Sequence, residues 1–256
     1  MPTSAHEARV PVLTYHSIAS APGPTSIAAE TFRMQMDVLV DCGFVSMSCE
    51  DFLDWRHGRK PGAAPRVLIT FDDGFADFAT TAFPILRERN LSCVVFVPTG
   101  KLGASEDWRG ANSPPRPLMS WSTVAELARA GVEFGGHGVT HVDLTRLTPD
   151  QRRHEINHCA QQLAERVGRP TRSFAAPYGH VNQAVLVDLA HTYDVAFGTR
   201  FDRAPPTCEL LDVPRIEMHY FRQQRQWRAF LRGDQSYFLV RRALRAGRTA
   251  ATKLLK

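Results

Sequence analysis

No Cys-x-x-Cys pair occurs in this chain of 256 residues, and its five cysteines, Cys42, Cys49, Cys93, Cys159 and Cys208, are an odd and scattered set. That argues against a disulfide framework; Cys93, in an apolar stretch, reads as a buried free thiol. No segment approaches the roughly 20 apolar residues that span a bilayer. Met1 to Arg9 is polar and lacks the apolar core of a secretion signal, so a cytoplasmic location is the default expectation. Internal repeats and low-complexity segments are absent. Acids are nearly absent from residues 222–256, where ten Lys/Arg face only Asp234, a charge of +9. The whole chain is +5, which leaves the remainder at −4. A mildly acidic body with a basic tail is not the charge distribution of a nucleic-acid binder, and no nucleic-acid partner is expected.

Strand-length apolar runs alternate with helix-length amphipathic segments. Strands are expected at 11–15, 66–71, 92–97, 132–134, 172–175, 195–198 and 210–217, and helices at 28–42, 48–57, 76–90, 122–130, 148–167 and 181–191. Several helix ends are written plainly. Ser48-x-x-Asp51 is a capping-box pattern, and Thr148-Pro149-x-Gln151 combines a cap, a first-turn proline and a third-position Gln. Gly43 and Gly168 stand where helices stop. Pro84 is expected to kink the helix over 76–90. The alternation implies a parallel sheet with helices outside, open or closed into a barrel, within one domain. Gly100–Met119 is expected to be a long irregular loop; Trp108 in it suits covering a sugar face, and Arg109 or Arg116 an anionic group.

Two motifs carry chemistry. The strand at 66–71 delivers Asp72 and Asp73 to its C-terminal end, where Gly74 lets the chain turn. Taken alone, Asp-Asp-Gly reads as a pair of solvated turn acids. Adjacent carboxylates repel unless a cation or proton lies between them. The second motif is Gly135-Gly136-His137-Gly138-Val139-Thr140-His141, two histidines four apart in a Gly-rich loop after another strand. Together they make a two-His, one-carboxylate set with open positions, which suits a catalytic Zn²⁺ or similar divalent ion, with the other Asp left as a base.

Thr70-Phe71-Asp72-Asp73-Gly74, then His-x-x-x-His, then Phe174-Ala175-Ala176-Pro177-Tyr178-Gly179 resembles the polysaccharide deacetylases, carbohydrate esterase family four, over roughly residues 10 to 232. Tyr15-His16-Ser17-Ile18 and Leu118-Met119-Ser120-Trp121 resemble the branch of bacterial poly-N-acetylglucosamine deacetylases. The resemblance implies an irregular (β/α)7 barrel and metal-dependent removal of an N-acetyl group from an amino sugar. It implies Asp73, His137 and His141 as metal ligands, Asp72 as the base, the Tyr178 backbone N–H as an oxyanion donor, and His16 at the site as general acid or substrate-binding group. An acetylated amino sugar is then the expected partner and a divalent metal, Zn²⁺ for preference, the cofactor. An O-acetyl ester or non-sugar amide is the alternative substrate, and an inactive carbohydrate-binding protein the alternative of another class.

The chain departs from the family pattern twice. Ala175 stands where many members carry the Arg that orients the base, and Arg215, at the end of a later strand, is a candidate substitute. Ile216-Glu217-Met218-His219-Tyr220 matches the usual acid-bearing segment poorly, which makes His219 a weaker candidate acid than His16. The organisation expected is an N-terminal extension at 1–9, a catalytic domain at 10–235 and a basic amphipathic helix at 236–256. In that helix Tyr237, Val240, Leu244, Ala251 and Leu254 fall near one face, interrupted by Gly247, with Arg241, Arg242, Arg245, Arg248 and Lys253 largely elsewhere. Such a helix suits peripheral contact with the inner face of an anionic membrane; the alternative is packing on the chain's own barrel.

Overall fold

A computed structural model describes residues 9–59, 64–108 and 114–254, with side chains described as far as residue 247. Its strands are β1 (Val12–Tyr15), β2 (Val45–Ser46), β3 (Arg66–Phe71), β4 (Val94–Val97), β5 (Glu133–Gly136), β6 (Ser173–Ala175), β7 (Val195–Phe201) and β8 (Val213–Glu217). All are parallel, in the order β1-β8-β7-β6-β5-β4-β3-β2, and a further β1–β3 pairing closes every strand except β2 into a ring. The fold is therefore a single-domain α/β barrel of the (β/α)7 kind, as the sequence resemblance implies. β2 lies outside the ring, against the first residues of β3.

Period-two alternation divides each strand between two cores. Leu13 and Tyr15, Val67, Ile69 and Phe71 belong to the cluster under the surrounding helices, whereas Val12 and Leu68, with Phe96, Phe197 and Val213, form a second cluster. That second face ends in polar side chains. Thr14 and His16, Thr199, and Arg215 and Glu217 all line one cavity at the C-terminal rim, as does Asp72 just past β3.

The helices are α1 (Ala29–Asp41), α2 (Cys49–Arg56), α3 (Phe83–Arg87), α4 (Trp121–Arg129), α5 (Pro149–Val167), α6 (Gln183–Ala190), α7 (Gln224–Leu231) and α8 (Ser236–Leu254). The capping boxes of α2 and α5 form as read from the sequence, and Gly168 closes α5 with φ of 77°. The segment expected as one helix over 76–90 differs. A π-helical turn at Phe78–Ala82 precedes α3, in whose first turn Pro84 sits. Proline has no N–H to give an i−4 carbonyl, so the widened turn lets the helix restart where that donor is not needed.

β7 runs three residues beyond Gly198, with an irregularity in its pairing to β8. β8 starts at Val213 because 210–212 form a turn. α7 is hidden in the basic tail by its sparse apolar pattern; Trp227 and Phe230 bury it, and the Trp227 indole N–H donates to the Gln35 carbonyl at 3.0 Å. Cys93 is buried and free, and burial pushes its thiol up.

α8 does not divide as its sequence pattern suggests. Phe238 is buried, Tyr237 donates to the Tyr220 carbonyl at 2.7 Å, and Arg241 bonds the Tyr237 hydroxyl at 2.9 Å. Leu239, Val240 and Leu244 are about half exposed, at 47%, 57% and 52%. Tyr237 thus packs on the barrel while Val240 and Leu244, expected on its face, point elsewhere; a helix face set by 238, 241 and 245 lies about 100° round from one set by 237, 240 and 244. The side chains of Arg248, Ala251, Lys253 and Leu254 lie outside the described residues. Among the described residues no helix is long and apolar enough to cross a membrane.

Candidate active site

Asp72 and Asp73 are adjacent in the chain but belong to different surroundings. Asp72 continues the inward face of β3, its N–H donating to the Tyr15 carbonyl at 2.9 Å. Its two carboxylate oxygens each accept from Arg215 at 2.7 Å, from Nη1 and Nη2, in a fork. Arg215 is 2% exposed and fixed by bonds to the Gly198 carbonyl (2.8 Å) and the Thr70 hydroxyl (3.2 Å). Burial works to raise the Asp72 carboxyl, but the Arg215 charge and bonds outweigh it and hold the group below its ordinary value. The cation absent at Ala175 is thus present on β8.

Asp73 turns the other way, with φ of 72°. Its Oδ1 lies 3.2 Å from the Nε2 of both His137 and His141. One ligand atom from each of these residues falls within 4.8 Å of the others, and all three side chains are buried. His137 Nδ1 lies 2.6 Å from the Ala175 carbonyl. A carbonyl only accepts, so Nδ1 carries the proton, and whenever the ring is neutral Nε2 presents its lone pair to Asp73. Lone pairs facing a carboxylate oxygen repel unless a cation lies among them. The donor set therefore fits a divalent metal.

Backbone strain is concentrated here. Non-glycine residues with positive φ among the described residues are Asp73, His141, Tyr178 and, away from the site, Asn90. Such conformations cost on the order of 1 kcal/mol or more each and persist only where surrounding structure enforces them. Gly179, φ 68°, permits the close approach beside one of them: a Cβ there would fall 2.2 Å from Thr199 Cγ2, so only glycine lets the Tyr178 turn lie against β7. Tyr178 stands edge-on to the His141 ring at 4.9 Å.

The cavity has a volume of about 260 Å³. The residues favoured from the sequence as catalytic or metal-binding line it: His16, Asp72, Asp73, His137, His141, Tyr178 and Arg215. His16 Nε2 is 4.0 Å from Asp72 Oδ2, and its Nδ1 is buried without a partner. His219 is not among the lining residues; its Nδ1 meets Arg222 at 2.8 Å. Trp108 stacks on His141 with centroids 3.9 Å apart.

Arg116 corrects an expectation. It is buried in a fork with Glu106 (2.6 and 2.9 Å), bonds Thr25 and Ser26, and lies 3.9 Å over the Phe75 ring, so it holds the loop instead of facing a ligand. The loop is accordingly less irregular than expected, with Ser105 bridged to Pro117 and Leu118 to Phe75. Arg109 lies outside the described residues.

Thr14, Thr199, Glu217 and Arg245 also line the cavity and were not selected. Alternation from Arg215 would have found Glu217, and from His16, Thr14. Nothing in the sequence marks Arg245, which arrives from α8.

Residues 59–196, more than half of the chain, match the family model for polysaccharide deacetylase. The chain belongs to the polysaccharide deacetylase family. It is 26% identical over 180 residues to the Bacillus subtilis (strain 168) protein named "Putative polysaccharide deacetylase YxkH", covering 70% of this chain and 60% of that relative's length. Among solved structures it is similar to IcaB from Ammonifex degensii (TM-score 0.74, 24% identity, 89% of this chain and 97% of that one). It is also similar to the Streptococcus pyogenes deacetylase PplD in complex with acetate (TM-score 0.72, 24% identity, 82% and 92%). These two likenesses are of fold.

Proposed function

We propose that this member of the family is a metal-dependent hydrolase that removes the N-acetyl group from an amino sugar. One observation carries the reading: of two adjacent carboxylates, Asp72 is forked by Arg215 and Asp73 faces two imidazole nitrogens. That division of labour is what amide hydrolysis requires, a base separated from a ligand.

Asp73, His137 and His141 would hold the metal, which when bound supplies Lewis-acid polarisation of the amide carbonyl. Asp72, kept ionised and oriented by Arg215, takes the proton of the attacking water. The Tyr178 N–H, presented by its left-handed turn, donates to the oxyanion as charge develops there. His16, whose Nε2 lies 4.0 Å from Asp72 Oδ2, passes a proton to the departing amine. Trp108 beside His141 gives the sugar ring an apolar wall.

A cytoplasmic location with peripheral membrane contact belongs to the same reading. Exposed Leu239, Val240 and Leu244 on a basic helix support the membrane contact alone. Co-sedimentation with anionic vesicles tests it: Val240→Asp with Leu244→Asp should abolish binding, and unchanged binding removes the idea. The enzymatic reading is tested by acetate release from acetylated amino sugars, with O-acetylated sugars as comparators, before and after chelation. Metal-dependent acetate from the amide substrates is expected; release only from esters, or none, would replace it.

A further inference from the structure

We propose that Arg245 recognises an anionic group, a phosphate or diphosphate ester, carried by the sugar whose amide is cleaved; this rests on the deacetylase reading above. Arg245 is the one described residue of α8 in the catalytic cavity, where it shares the lining with Asp72, Asp73 and His137. Its head is fixed there. Nη2 donates to the Thr199 carbonyl at 3.0 Å, and the guanidinium carbon lies 5.8 Å from the centre of the Phe201 ring.

The catalytic cavity, at about 260 Å³, is smaller than the roughly 300–1,000 Å³ of ordinary ligand sites. It suits one sugar ring, and whatever that ring carries must extend out of it. A second cavity of about 1070 Å³ abuts the first and shares Gly179, Thr199 and Arg245 as lining. Arg200 and Arg242 line it further along. Asp202 and Asp212 are there too, and Arg242 is paired with Asp202 at 3.1 Å.

Arg245 therefore stands at the junction, the first cation that a group leaving the catalytic cavity by this route meets. A guanidinium fork matches paired phosphate oxygens in geometry and charge. The charge distribution points the same way. The body of the chain is −4 and residues 222–256 are +9, and α8 lays part of that positive excess beside the cavity mouth. A 2-acetamido sugar with its ester at the neighbouring anomeric carbon brings amide and anion within one ring of each other.

The competing role for Arg245 is structural: offsetting Glu217, whose carboxyl faces the same cavity, and holding α8 to β7. Acetate release separates the two. The divalent-metal-loaded full chain is given N-acetylglucosamine 1-phosphate, a nucleoside-diphosphate N-acetylglucosamine, a short polyprenyl-diphosphate N-acetylglucosamine and the neutral methyl glycoside. The three esters distinguish a free phosphate from nucleotide and lipid sources. At low salt kcat/KM for at least one ester should exceed that for the methyl glycoside by roughly tenfold or more, the scale of one charge-assisted contact.

Arg245→Gln should bring that ratio close to one, and Arg245→Lys should keep part of it. A ratio near one in the wild type, or a ratio that survives Arg245→Gln, overturns the proposal while leaving the deacetylase reading intact. If no substrate releases acetate, equilibrium binding to the Asp72→Asn protein decides. Tighter binding of an ester than of the glycoside, lost on adding Arg245→Gln, supports the anion site although the deacetylase reading has failed; equal binding overturns it. Should Arg245→Gln not fold, the wild type decides alone through binding of glucose 1-phosphate against glucose, where preference for the phosphate supports the site and equal or absent binding removes it.

Discussion

The two halves of the catalytic cavity are built by different means. One half, with His16, Asp72, Thr199, Arg215 and Glu217, stands on the inward face of barrel strands or just past their ends. Its side chains are aimed by the pleat and held by hydrogen bonds between strands. The other half, with Asp73, His137, His141 and Tyr178, stands on turns, three of them in left-handed conformations. Strands supply rigid orientation, which a base and its arginine need. Turns supply convergence of residues from distant strands on one point, which a metal needs, at the cost of strained backbone. Asp72 and Asp73 mark the boundary, one residue apart.

The turn half should fail completely when one ligand is lost. His137→Ala removes one of three donors and the bond to the Ala175 carbonyl. The expected result is loss of stoichiometric metal, by elemental analysis of the purified protein, together with loss of acetate release. A variant that keeps both would show that the ion is held elsewhere.

The strand half should fail in chemistry but not in metal content. Asp72→Asn removes the proton acceptor at nearly constant volume. Turnover should fall by about 10²-fold or more, with metal retained. Loss of metal in Asp72→Asn but not in Asp73→Asn would reverse the assignment of the two carboxylates.

A third test addresses the arginine that joins β8 to β3. Arg215→Met leaves Asp72 buried and uncompensated, which costs about 3–5 kcal/mol where a buried pair loses one partner. Denaturant unfolding should show that loss, and adding Asp72→Asn should recover much of it. Additive effects in the double variant would mean that the pair is not coupled. The fork itself is not a net source of stability, because desolvating both charges offsets their attraction.

The strand half and the turn half were not equally legible. The alternation of strands and helices pointed to a parallel sheet with helices outside, since parallel strands buried on both faces leave a plain apolar signature, while its closure into a barrel came from the family resemblance. Asp72, Asp73, His137 and His141 stood out because metal and base chemistry needs those types at short spacing. Arg215 was found only by asking what replaces a missing cation at Ala175. Glu217 follows from Arg215 by simple alternation, but the surrounding segment drew attention to His219 instead. Arg116 was misread because its burial depends on Glu106, ten residues away, and on Thr25 and Ser26 from another loop. Arg245 was out of reach, since its place depends on which face of α8 packs, and that is decided by Phe238 and by aromatic rings on the barrel.

The smallest expected effect tests how dry the strand half is. Glu217 opens onto the cavity but lies deep in the barrel mouth. Burial pushes its carboxyl above the ordinary value, partly offset by His16, Arg245 and Arg215 and reinforced by Asp72. A carboxyl raised in the folded state binds its proton more tightly there than in the unfolded chain. Its contribution to stability is therefore full below the unfolded-state pKa and is lost as pH rises through the folded-state value. Glu217→Gln cannot ionise and should escape that loss. The two proteins should melt together in acid, and the variant should become the more stable as pH rises past the shifted value. Melting curves across pH 4 to 8 would measure the gap. A gap of the opposite sign would mean that ionised Glu217 is stabilised by the arginines around it, so that charge pairing and not burial governs the strand half.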